Sequence, residues 1–125
     1  RRELAAELRA LNARFRQEVT ERRPDPGRLQ RTDEDFHLRY VKAGAGPRLL
    51  ALHDVVKPQA ERYEFLYTSL LASETAVSVT EHEAIVQAIR AGDADAAQRA
   101  VQTNWRNAAA RLAAVIERVG ERGTW

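Results

Sequence analysis

Ser78-Val-Thr-Glu-His-Glu-Ala-Ile-Val-Gln-Ala-Ile-Arg-Ala-Gly-Asp93 is the stretch on which the fold turns. Val79, His82, Ile85, Val86 and Ile89 recur at three- and four-residue intervals, so they share one face of a helix. Ser78 and Glu81 have the Ser-x-x-Glu spacing of a capping box, which predicts that the helix starts at Ser78. Gly92-Asp93 predicts a sharp stop and a restart, because glycine closes a helix and aspartate caps the next one. The apolar residues do not alternate with a period of two, as a half-buried strand requires.

The helical period continues in both directions. Downstream, Ala97, Val101, Asn104, Ala108, Leu112, Val115 and Val119 form one stripe on a long helix of roughly Ala94–Val119. Upstream, Leu4, Leu8, Leu11, Phe15 and Val19 form the stripe of a first helix, which Arg23-Pro-Asp-Pro-Gly27 breaks. Asp25 as N-cap and Pro26 at the first helical position open a second helix. It carries Leu29, Asp33, Phe36, His37, Tyr40 and Val41 on one face, and Gly44-Ala-Gly-Pro47 ends it. A short helix is predicted around Arg48–Val56, and Pro58 opens another to about Ala72. The sum is an all-α antiparallel bundle of about six helices in one domain spanning residues 1–125.

Bulk composition narrows the function. Without cysteine there is no disulfide framework and no thiolate zinc site. No apolar run approaches the roughly 18 residues that span a membrane, and no signal peptide is visible, so the chain reads as soluble and cytoplasmic. The net charge is +2, and the 20 basic residues are interleaved with 18 acids. That is the pattern of solvated helix faces rather than of a nucleic-acid track. The absence of methionine suggests a piece of a longer chain.

Three polar groups with metal-ligand chemistry, and one amide, fall on the apolar stripes. Asp33 and His37 are four apart and share a helix face. His82 and Asn104 lie on two later helices. A core accepts that many polar groups when they meet and satisfy one another. Two nitrogens and two oxygens suit a borderline divalent ion such as Zn, Ni or Mn. The bland alternative is a buried hydrogen-bonded network. Glu34-x-x-His37 matches half of a di-iron carboxylate site, but the motif has no second copy. His53 lacks comparable partners and reads as structural or surface. Arg62, beside Tyr63, is either a carboxylate clamp or a surface arginine lying along its helix.

Asp33-x-x-Phe36-His37, the Ala-Gly-Ala-Gly-Pro47 turn, Glu81-His82-x-x-Ile85-Val-x-Ala88-Ile89 and Ala91-Gly92-Asp93-Ala94-x-Ala96-Ala97 occur in that order. Together, from about Arg2 to Val119, the chain resembles the FCD-type effector-binding domain of GntR-family transcription regulators. The resemblance implies a helical bundle around a central cavity. There, a divalent metal held by Asp and three His binds a small carboxylate effector. Asp33, His37 and His82 match the first three ligand positions, and Asn104 stands where the family usually has His. Arg62, with its neighbour Tyr63, matches an effector-binding position more loosely. The resemblance further implies a homodimer and a winged helix-turn-helix DNA-binding domain ahead of this one. The usual first helix of the effector domain is missing from the match. Such a protein is a DNA-binding regulator, for instance a repressor, and not an enzyme. The competing readings are a metal-dependent enzyme with a His/His/Asp site and a plain helical interaction module.

Overall fold

The computed structural model describes residues 1–122, the side chain of Ser73 apart. Five α-helices follow one another: α1 (Arg2–Val19), α2 (Pro26–Gly44), α3 (Pro47–Leu71), α4 (Ala76–Ala91) and α5 (Ala94–Val119). A single 3-10 turn, Ala72–Glu74, joins α3 to α4, and no strand occurs among the described residues. The packing closes on itself: α1 lies against α2 and α4, α3 against α2 and α5, and α4 against α5.

Local chemistry accounts for the helix boundaries. The Asp25 carboxylate accepts a hydrogen bond from the Arg28 backbone N–H at 3.1 Å, and Pro26 occupies the first turn where its missing N–H costs nothing. The Asp93 carboxylate accepts from Ala96 N–H at 2.8 Å and starts α5. Between them, Gly92 adopts φ +76°, a left-handed conformation that a side chain would strain, and its N–H caps the Ala88 carbonyl.

Two expectations are corrected. The helices number five, not six, because α3 runs unbroken through Pro58. Proline leaves the Asp54 carbonyl without its helical donor. Asp54 and Pro58 are both exposed, where solvent can take the place of the missing donor, and the helix continues. The predicted capping box does not form either. Helix α4 begins at Ala76, and Ser78 lies inside its first turn. Ser78 and Glu81 turn instead toward Arg111 on α5.

The interior divides into two apolar clusters. Leu8, Phe36, Ile85 and Val86 form one, and Phe15, Leu29 and Val79 form the other. Helix α1 contributes to both, which places its middle turns between α2 and α4.

Candidate metal centre

His82 is fully buried at the seam of the two clusters. Its ring stacks on Phe36 with centroids 4.1 Å apart and 16° between planes, and tilts against Phe15 at 5.4 Å. His37, one helical turn beyond Asp33, stands edge-on to it with centroids 5.1 Å apart. Asp33 lies between them: Oδ1 is 3.2 Å from His82 Nε2, and Oδ2 is 3.6 Å from His37 Nε2. One ligand atom from each residue falls within 4.8 Å of the others. Two ligand atoms that each sit about 2.1 Å from one ion are roughly 3.0–3.4 Å apart; the Asp33–His82 spacing falls in that range, and the Asp33–His37 spacing is slightly longer.

The hydrogen bonds behind the cluster set the state of each imidazole. Asn12 Nδ2 donates to the Val79 carbonyl at 3.0 Å. A carbonyl only accepts, so the amide oxygen of Asn12 must be the end that faces His82 Nδ1, at 3.2 Å. That oxygen requires a hydrogen on Nδ1, so Nε2 is the nitrogen that can carry a bare lone pair. Nε2 is buried and makes no well-directed hydrogen bond, its nearest partner being Asp33 Oδ1. With the ring neutral, Nε2 and a carboxylate oxygen face one another at 3.2 Å as two acceptors, an arrangement that either a proton on Nε2 or a cation shared by the two satisfies. His37 Nδ1 lies 2.8 Å from the Tyr40 hydroxyl, which also accepts from Trp105 Nε1 at 3.3 Å. The tautomer decides the role of the other nitrogen: His37 Nε2 is free to be a ligand where Nδ1 donates to Tyr40, and carries the hydrogen where Tyr40 donates to Nδ1.

Electrostatics point the same way. Burial pushes His37 down to about 4, opposed by Asp33 and reinforced by His82 and Lys57, so the ring is neutral at pH 7. Burial alone would raise the Asp33 carboxyl, but in the pH range where the carboxyl itself titrates His37 and His82 take up protons, and their charge, a hydrogen bond from His82 and the Lys57 ammonium hold the group below its ordinary value. A neutral imidazole and an ionised carboxylate are the forms that bind metal.

The other expected site residues are dispersed. Asn104 is buried, and its Nδ2 donates to Glu81 at 2.8 Å, so only its Oδ1 end can serve a cation. Tyr63 lines a cavity of about 340 Å³ beside Asp33, whereas Arg62 next to it is exposed. His53 lies 3.1 Å from its neighbour Asp54.

Three residues escaped the reading of the sequence. Asn12 had a signal, since it falls four residues after Leu8 and is nearly fully buried among apolar neighbours. Trp105 packs at 4.9 Å on His37 and lies under Lys57 Nζ. Arg111 lines the cavity, and both its terminal nitrogens lie 3.2 Å from Glu81 oxygens. Nothing in the spacing of the last two announces those partners.

The role of Asn12 can be measured. Asn12→Leu fills similar volume but removes the acceptor, freeing Nε2 of His82 to carry the hydrogen. Metal affinity is expected to fall on the order of tenfold. Imidazole ¹⁵N spectra of the metal-free protein should show His82 protonated at Nδ1 in the parent, and parent-like spectra of the variant would refute the assignment.

A family model described as FCD domain matches residues 1–107. No curated protein and no solved structure matches the chain.

Proposed function

The chain belongs to the FCD domain family, and on that premise we propose that it is the ligand-sensing domain of a GntR-type transcription regulator. Asp33, His37 and His82 hold one divalent ion, and a small carboxylate effector binds beside it. The observation that carries this reading is the buried, unbonded Nε2 of His82 facing Asp33 Oδ1 at 3.2 Å. A plain buried network meets the same contact with a proton on Nε2, so the metal titration below separates the two readings. A zinc, nickel or manganese ion supplies a Lewis-acidic anchor for an effector carboxylate. Asn12 and Tyr40 orient the two imidazoles, and Asn104 offers its amide oxygen as a fourth ligand. Tyr63 forms part of the effector's wall, and Arg62 is the looser candidate for contacting it.

The regulatory step in this reading is linkage. Effector binding favours one arrangement of a homodimer, and so changes operator affinity through winged helix-turn-helix domains attached ahead of this one. The exposed Leu49, Leu52, Val55 and Val56 on α3 support pairing of two copies, which would cover them. Among the described residues no helix is long and apolar enough to cross a membrane.

Nickel titration of EDTA-stripped protein is expected to give one ion per chain. Absence of binding heat and of any rise in melting temperature would end the metal reading. Asn104→His restores an imidazole to the fourth position and should tighten nickel binding by about tenfold or more, as imidazole is the better ligand for nickel. A variant that titrates like the parent would remove Asn104 from the ligand set.

A further inference from the structure

The cavity next to Asp33 has a chemical character of its own. Phe15 from α1, Leu29 from α2, and Trp105 and Leu112 from α5 give it apolar walls, and Ala60, Ala108 and Ala109 keep space open between α3 and α5. Its polar lining is largely committed elsewhere. Thr68 donates to Gln30 at 2.8 Å, and Gln30 donates onward to Glu34 at 3.0 Å. Arg111 is bound by both oxygens of Glu81 and by Ser78 Oγ at 3.1 Å, so its charge is already neutralised. Glu64 lies 3.9 Å from Lys57 Nζ. A ligand rich in hydroxyls, or carrying a second carboxylate, would lose water here and gain few partners in exchange. An apolar body would lose nothing of the kind and would fill the space between the aromatic and aliphatic walls.

We propose that the effector is a monocarboxylate with an apolar body, such as an aryl- or branched-alkyl-acetic acid, its carboxylate at the Asp33 end and its body between α3 and α5. This rests on the metal-and-carboxylate reading above and narrows it to one class of acid. The class follows from the single anchoring point at Asp33 together with walls that offer contact rather than hydrogen bonds. Trp105 has a double part: one face of the same side chain packs on His37 while the residue lines the cavity, so body and anchor are sensed by one ring.

Calorimetry on the nickel-loaded chain tests this with phenylacetate, malate and phenylacetamide, three probes of similar size. Phenylacetate should bind on the order of tenfold tighter than malate, with a negative heat-capacity change, and phenylacetamide should bind weakly for want of a carboxylate. Ala108→Phe fills the space and should abolish phenylacetate binding while nickel still titrates to one per chain, which also demonstrates that the variant folds. Malate binding as tightly as phenylacetate overturns the proposed class and leaves the metal-and-acid reading standing. Nickel binding with no response to either acid overturns both. Unchanged phenylacetate affinity in Ala108→Phe removes the body from the space between α3 and α5.

Discussion

Replacing His82 with alanine is expected to yield protein that retains no zinc, nickel or manganese and is less stable by about 3 kcal/mol. Both effects have the same origin. The ring is the one proposed ligand with no exposure to solvent, and its removal opens a cavity against Phe36 and Phe15. Metal analysis and urea midpoints separate the two losses. The parent should gain about 2.7 kcal/mol from a metal present at a hundredfold excess over its dissociation constant, and the variant should gain nothing. Because a cavity variant can lose metal by unfolding, Asp33→Asn is the companion test. It keeps the shape of the side chain and its partial exposure, and it removes only the charge between the two imidazoles. Metal content equal to the parent in both variants would sink the assignment.

The second large effect is a loss of stability in mild acid. The folded protein holds His37 at about 4, against an ordinary value of 6.5. Between those two values the unfolded chain binds a proton that the native state refuses, so stability must rise with pH across the window and fall as pH drops through it. The full difference amounts to about 3 kcal/mol, complete near pH 4 and absent above about pH 7. Asp33 acts outside this window: its carboxyl is held below its ordinary value, so its contribution is lost only in stronger acid. Urea midpoints of the metal-free protein from pH 7 to 4 measure the slope. His37→Phe keeps an aromatic ring against Phe36 and Trp105 and should flatten that slope. A variant whose stability tracks pH as the parent's does would show that another group is responsible. The same protonation competes with metal, so nickel affinity should decline over the same range.

Much of the architecture could be read from short-range chemistry. Asp25 and Pro26 open α2, and Gly92 and Asp93 separate α4 from α5, where expected. Each of these signals acts within a few residues, through a carboxylate on a nearby N–H or through a backbone angle, and needs no other part of the chain. The placement of Asp33 and His37 on one face is equally local. The family match over residues 1–107 agrees with the resemblance drawn from four short motifs.

The misreadings have a common cause. Ser78 and Glu81 carry the pattern of a cap, but Arg111, 33 and 30 residues away, competes for both and wins with charge-assisted bonds. Pro58 carries the pattern of a break, but α3 packs against α2 and α5, and the proline and Asp54 both lie on the exposed side of the helix.

Helical class, the approximate boundaries and the inward position of Asp33, His37, His82 and Asn104 are therefore properties of the chain read residue by residue, because periodicity and capping are local. That Asp33 meets His82 is not. It depends on α1 packing against both α2 and α4, so that Asn12, 70 residues from His82, settles which nitrogen of that ring carries the hydrogen. The cavity walls, the neutralised Arg111 and the engagement of Asn104 with Glu81 are likewise long-range contacts. Such contacts depend on how whole helices lie against one another, and no spacing within a single helix encodes that.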